Sequence, residues 1–391
     1  MLGKIKTWAR PSRAFLALSV IVLALLAFLL WHLGTAAAHL SAAEAAARSS
    51  STQPHDLLKN AVNAPFRLLQ HGLYAFHSCP FFLRLPAVIF AVLTAVSLYR
   101  LMVSLFGRII GLFGALFFIS LPLFALSGRQ ATPAVMLFLP AIIMYLAHRF
   151  TKDEKPGFSW LLLMIAAGLA LYTPGFIWWL AGAAILSYRK LSAALEDLQL
   201  PPRVSGIGLF CLIIIPLIVV SALHPSTLKP LLALPASWPA PLSFLDHTAR
   251  MAAALFLRNT ESGSILLGGQ AVLNVTLLAL VIFGAYALLT AARNKALALI
   301  SAVLLAIILA GLNNDISYLA LGVPALMIMA AGGLRYLYIE WRSIFPRNPV
   351  PKTFALVLIA LVTASQLYFA GTYVLLAWPH SPQTHSRYVV K

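Results

Sequence analysis

Residues 82–150 read as three long apolar runs separated by joints a few residues long, with arginines at the joints. No water-soluble fold buries such runs back to back. The runs 86–98, 109–126 and 133–147, with their weakly polar flanks, approach the ~20 residues that a helix needs to cross a bilayer. Each is expected to be helical, because hydrocarbon offers backbone N–H and C=O groups no other partner. Arg100 and Arg108 mark the first joint as a cytoplasmic turn, since basic residues collect on that side. The joint 127–132, Ser-Gly-Arg-Gln-Ala-Thr, then lies outside.

Composition supports the same class. Hydrophobic residues make up 61% of the chain and charged ones 10%, against ~25% charged in a soluble domain. The net charge of +18 would raise nucleic acid as a partner in a soluble protein. Here the excess falls in loops on one side, so it is read as membrane orientation and no nucleic acid is implied. The two cysteines, Cys79 and Cys211, fall near opposite faces and suggest no disulfide framework.

The chain starts with Lys4, Lys6, Arg10 and Arg13, followed by an apolar run over 14–33 and then Ala36, Ala37 and Ala38. That pattern fits either a secretory signal with its cleavage site or an uncleaved first span, and the length of the run favours the span. After it, ten more spans are predicted, at 85–105, 108–127, 133–149, 158–173, 174–190, 206–223, 271–292, 296–312, 317–334 and 354–378. With the N-terminus inside, the cytoplasmic face carries 18 of the 28 Lys and Arg residues: those four, Arg100, Arg108, Arg149, Lys152, Lys155, Arg189, Lys190, Arg203, Arg293, Lys295, Arg335, Arg342, Arg347 and Lys352. The count agrees with the orientation, in a cytoplasmic (plasma) membrane, with the active face outside.

Two outside segments are long. The first, 34–84, has a Ser-rich part and then Leu57, Leu58, Ala61, Val62, Phe66, Leu69, Leu73 and Phe76 at roughly helical spacing, interrupted near Pro65. Two short helices lying on the membrane surface are expected there. The second, 224–270, is proline-rich and then apolar enough for another surface-lying or re-entrant helix. The cytoplasmic loops are short and basic, with no nucleotide-binding glycine motif, so any chemistry belongs outside. The whole is read as one polytopic domain, 1–391, with no repeat of the kind many transporters show.

Five carboxylates fall outside, Glu44, Asp56, Asp246, Glu261 and Asp315, and these with the outside histidines supply the candidates for acid–base work. Glu44 follows the first span closely enough to face a lipid-borne substrate. Each candidate has a plainer role beside it. Ser41 and Glu44 have the spacing of a capping box, and Asp56 suits the N-cap of the following helix. Arg84 and Arg129 at membrane edges can serve lipid headgroups or snorkel. Asn313, Asn314 and Asp315 suit the caps of two spans, and Trp178 and Trp179 the interface belt. His39, His55, His71 and His77 lack the spacing of a metal site, and none is assigned.

The block 84–133 resembles the second to fourth spans of membrane glycosyltransferases of the GT-C fold, the group that includes protein O-mannosyltransferases and aminoarabinose transferases. Arg84-Leu85-Pro86, Leu105-Phe106-Gly107-Arg108, Pro122 and Arg129 carry the resemblance. Tyr172-Thr173-Pro174-Gly175 is similar to the family's Thr-Lys-Gly turn, Ser317-Tyr318-Leu319 with Pro324 to its late Arg-Tyr-Leu…Pro span, and the segment around Arg258 to an outer loop of a bacterial subgroup.

That resemblance implies an all-α integral membrane fold of about eleven transmembrane helices, with surface-lying helices in two extracytoplasmic loops. It implies a glycosyltransferase with a polyprenyl-phosphate sugar as donor, an extracytoplasmic glycan, lipid or protein as acceptor, and no cofactor. Glu44 and Asp56 would be the catalytic acids, and Arg84, Arg129 and Arg258 would hold the donor phosphate, combining general base catalysis with charge stabilisation of a leaving group. The active site would lie in a cavity under the first outside loop. The chain departs from the family where Ala43-Glu44 replaces Asp-Glu and Ala134 replaces the acid after Arg-x-x-x-Pro. The alternative is a catalytically inactive relative that binds, scaffolds or transports a polyprenyl-linked glycan.

Overall fold

The computed structural model describes residues 13–35, 39–52, 59–152, 156–260, 266–344 and 349–388. Among these the chain is helical almost throughout and forms no β-strand. Five stretches are long and apolar enough to cross a membrane: Pro80–Phe106, Pro133–Phe150, Leu200–Leu223, Arg293–Asn313 and Thr353–His380. Shorter apolar helices stand between them, and the chain is a multi-pass membrane protein.

In order, α1 (Arg13–Leu30) leads to α2 (Ala42–Thr52) and α3 (Ala64–Phe76), which precede the long α4 (Pro80–Phe106). The chain returns along α5 (Arg108–Ile119) and α6 (Pro122–Ser127), passes the joint 128–132, and descends through a 3-10 turn, Pro133–Phe138, into α7 (Pro140–Phe150). Next come α8 (Pro156–Ala170), α9 (Phe176–Glu196) and α10 (Leu200–Leu223), then the short α11 (Leu228–Leu231) and α12 (Pro241–Phe256). The remainder is α13 (Val275–Ala291), α14 (Arg293–Asn313), a further six-residue 3-10 turn at Ile316–Leu321, α15 (Val323–Ile344) and α16 (Pro349–Thr372). A π-turn at Tyr373–Ala377 then joins α16 to α17 (Trp378–His380) and α18 (Pro382–His385).

All the predicted apolar segments coincide with helix, but four are not single α-helices, among them 354–378, which ends in the π-turn. The run 108–127 breaks at Leu121, which is extended (φ −71°, ψ 120°), because Pro122 disfavours helical geometry in the residue before it and cannot donate to the preceding turn. The runs beginning at Pro133 and Ile316 each start as 3-10 and turn α only near Pro140 and Pro324. These two 3-10 turns pack against each other. Pro65 does not interrupt a helix as expected. It opens one, since α3 begins at Ala64 after Asn63 in the left-handed region (φ 56°), and a proline in the first turn forfeits no hydrogen bond.

One continuous apolar core runs through the bundle. At its centre Phe118, Phe124 and Phe138 are fully buried, with ring centroids 4.1, 5.2 and 5.9 Å apart. They pack α5, α6 and the 3-10 turn Pro133–Phe138 against one another, on both sides of the joint 128–132 in the chain. The expected caps are present: Asp315 accepts from Ser317 N at 2.8 Å and Asn314 ends α14 at φ 48°.

Candidate functional site

The charged candidates meet where α2, the start of α4 and the joint 128–132 come together. Ser41 and Glu44 form the capping box their spacing predicts: Glu44 N donates to Ser41 Oγ and Ser41 N to Glu44 Oε2, both at 3.2 Å. This fixes the first turn of α2 and turns the Glu44 carboxylate toward α4. There Arg84 meets it as a two-pronged pair, Nε to Oε1 at 2.9 Å and Nη2 to Oε2 at 3.0 Å. Such forked pairs match guanidinium and carboxylate geometry and are stronger than single contacts. Neither side chain reaches solvent, at 3% and 0% exposure.

Every remaining lone pair in this pair finds a donor. Ala131 N donates to Glu44 Oε1 at 3.0 Å. Arg84 Nη1 in turn donates to the carbonyl of Leu33 at 2.6 Å, and Nη2 to that of His39 at 3.5 Å. Glu44 thus accepts four hydrogen bonds and directs no oxygen at open space. In this conformation it fastens the segment after α1 to the bundle; to take a proton from an acceptor it must first give up a partner.

Arg129 turns the other way. Its Nη1 donates to the carbonyls of Phe28 and Leu29 at 2.7 and 3.1 Å, and its Nη2 to that of Trp31 at 2.7 Å. These are the carbonyls left over at the C-terminal end of α1, where the helix dipole also favours a cation. Its Nε is buried without a partner. Burial, and the Arg84 charge nearby, push the guanidinium from 12.5 down to about 10, which leaves it charged at pH 7. Two guanidinium groups and one carboxylate therefore share a site shielded from water, and its balance is positive.

Three further side chains complete the cluster. Gln70 of α3 donates through Nε2 to the carbonyls of Leu83 and Ala131 at 2.9 and 3.2 Å. Gln130 Nε2 donates to the hydroxyl of Tyr388 at 2.9 Å. Gln70 was legible in principle, as a polar residue on the apolar stripe of Phe66 and Leu73. Nothing in the sequence marks Gln130 or Tyr388, which lie 258 positions apart.

The structure thus brings Glu44, Arg84 and Arg129 together and leaves Arg258 aside. Arg258 sits on the exposed turn after α12, against Gly269, and no hydrogen bond or ion pair joins it to the three. Asp56, like His55 and Glu261, lies outside the described residues. Leu40, Leu83 and Ala131 form a small buried cluster with Tyr74 against it. An apolar cavity of about 380 Å³ opens between the end of α8, α9, α10 and α11, lined by Leu171, Ile177, Ile214, Leu217, Leu228 and Leu231 among others. Its wall is tied to the start of α3, where Asn63 N donates to the Tyr172 carbonyl at 2.7 Å. Among the described residues no three His, Cys, Asp or Glu side chains gather as metal ligands would.

Comparison with known proteins agrees with this architecture. The family model described as dolichyl-phosphate-mannose-protein mannosyltransferase matches residues 65–221. No curated protein sequence gives a match. Crystal structures give several. ArnT from Cupriavidus metallidurans in the apo state superposes with a TM-score of 0.58 at 15% identity, covering 95% of this chain and 77% of that one. The same enzyme bound to undecaprenyl phosphate gives 0.51 at 17%, covering 94% and 74%. The Archaeoglobus fulgidus oligosaccharyltransferase, tethered to an acceptor peptide, gives 0.54 at 14%, covering 96% of this chain and 56% of the other.

Proposed function

Because the chain has the GT-C fold of membrane glycosyltransferases, we propose that it moves a sugar from a polyprenyl-phosphate carrier to a glycan, lipid or protein acceptor on the outer face of the plasma membrane. In this reading the N-terminus is inside, about eleven segments cross, and α2, α3 and α12 lie along the outer surface in the loops 34–84 and 224–270. The observation that carries it is two buried guanidiniums near a single carboxylate, Arg84 paired with Glu44 and Arg129 bound to the end of α1. A departing lipid phosphate gains negative charge, and preorganised donors in a dry site stabilise such charge best. Arg129 Nε is free to donate to it and Arg84 can follow, whereas Arg258 would join them only if the second loop moved toward the pair. The likeness to a relative that binds undecaprenyl phosphate supports the carrier class.

In the transfer the anomeric carbon–oxygen bond to phosphate breaks, an acceptor oxygen takes its place, and the acceptor's proton passes to a carboxylate. Glu44 is that carboxylate once a phosphate draws Arg84 away, and Asp56 is the second candidate. The 380 Å³ apolar cavity offers room for part of a prenyl chain within the bilayer.

A second reading is favoured by the saturation of Glu44, whose four hydrogen bonds leave no base ready: a relative that binds, scaffolds or transports a polyprenyl-linked glycan without transfer. Purified protein in liposomes, supplied with undecaprenyl-phosphate mannose or aminoarabinose and a lipid or peptide acceptor, separates the two. Transfer that is lost in Glu44→Gln or Asp56→Asn supports the enzyme and names its base. Retention of undecaprenyl phosphate by native mass spectrometry, with no transfer from either donor, favours the second reading.

A further inference from the structure

Tyr388 lies three positions beyond α18 and is 5% exposed. The tail that carries it folds back on itself: Tyr388 N donates to the Thr384 carbonyl at 3.0 Å, and the Tyr388 ring meets Trp378 edge-on at 5.3 Å. This brings a phenol from far along the chain onto the joint 128–132. Gln130 Nε2 donates to its hydroxyl at 2.9 Å, the Ser41 side chain is close by, and it stands in the fields of Glu44 and Arg84. Burial and the Glu44 charge hold the phenol above its usual range, so it keeps its proton. A protonated hydroxyl in the field of a carboxylate, fixed by an amide, is the local chemistry that an incoming acceptor hydroxyl requires.

We propose that segment 378–388 is a strap whose Tyr388 hydroxyl fills a hydroxyl-binding niche made by Ser41, Glu44 and Gln130, and that an external hydroxyl acceptor enters by displacing it. The identity of the displacing molecule rests on the sugar-transfer reading; the niche does not. Three features support it. The niche holds a hydroxyl in the resting protein. Its polar walls come from α2 and the joint, the same elements that hold Glu44. Its occupant is carried on the turn after α18, with its ring set edge-on against Trp378.

The test uses the full chain in detergent, read by hydrogen exchange of the amides 39–48. In Tyr388→Ala these amides are expected to exchange about tenfold faster than in the wild type, since one buried anchor with its hydrogen bonds is gone. Adding 4-methylphenol, the side chain of tyrosine as a free molecule, should slow them again, whereas toluene, of similar shape but without a hydroxyl, should not. Wild type should respond to neither. Tyr388→Phe guards against a folding defect: its ring stays, so exchange should rise by only a few-fold and 4-methylphenol should have no effect. Unchanged exchange in both variants, or equal protection by toluene, overturns the niche. Release of undecaprenyl phosphate from its mannosyl derivative, with a hydroxyl-bearing lipid or peptide added to take the mannose, is measured in the same preparations and should be faster in Tyr388→Ala, where the strap no longer competes. If neither protein releases it, the transfer reading and the acceptor's entry fall, while the niche stands or falls on 4-methylphenol alone.

Discussion

Arg84 and Glu44, forty positions apart, neutralise each other through two hydrogen bonds of 2.9 and 3.0 Å inside the protein. The pair links the first turn of α2 to the first turns of α4. A charge pair held this deep persists because the carboxylate accepts two further hydrogen bonds and the guanidinium donates two to backbone carbonyls.

Removing either partner is therefore expected to cost more than removing both. Glu44→Gln and Arg84→Met each leave a buried group unpaired, and each should lower the unfolding free energy by about 3–5 kcal/mol. The double variant should recover part of that loss. Unfolding in bicelles across the four-member cycle measures the coupling, and an additive cycle would show that the pair contributes nothing. Raising salt from 0.1 to 1 M should leave the wild-type midpoint almost unmoved, because a buried pair is poorly screened.

Arg129 should act through shape as well as charge. Its planar fork reaches the carbonyls of Phe28, Leu29 and Trp31 together, which the single ammonium of a lysine cannot do. Arg129→Lys is expected to keep most of the carrier affinity but to loosen the end of α1, with faster hydrogen exchange over 29–35. Arg129→Met should lose both. Equal exchange in Lys and wild type would mean that the fork is not what holds α1.

Where α13 crosses α15, a Cβ added to Gly284 would lie 1.7 Å from the Met329 carbonyl oxygen, and one added to Gly333 would lie 2.0 Å from that of Leu280. Small residues at such a crossing let backbones approach closely inside a membrane. Because backbone cannot move aside as a side chain can, Gly284→Ala and Gly333→Ala should each destabilise by about 1–3 kcal/mol or more. Gly182 in α9 has nothing within 4 Å of its added Cβ, so Gly182→Ala should be neutral or stabilise by up to about 1 kcal/mol. Thermal midpoints of the three variants in one detergent decide the matter.

Much of the fold was legible because a bilayer leaves an apolar chain so few options. The segments around α4, α10 and α14 needed only their length and their lack of charge. The breaks at Leu121 and before Pro140 were hidden, because hydropathy is blind to which hydrogen-bond pattern an apolar residue adopts; the prolines at 122 and 140 were the available sign. In the site, the capping box of Ser41 and Glu44 is a local spacing and could be read directly. Arg84 and Arg129 could be located but not paired, since the partner of one lies in α2 and those of the other at the end of α1. The contact between Gln130 and Tyr388 has no counterpart in any local pattern.

The joint 128–132 spends three consecutive residues on three distant parts of the chain: Arg129 on the end of α1, Gln130 on Tyr388, and Ala131 on Glu44. During synthesis the first and third of these partners emerge before the joint does, whereas Tyr388 emerges only after α16 has been threaded. The nascent protein therefore passes through a stage in which the Glu44 end is assembled but uncovered, and the closing contact is a late event in biogenesis that a stalled or shortened chain would never reach.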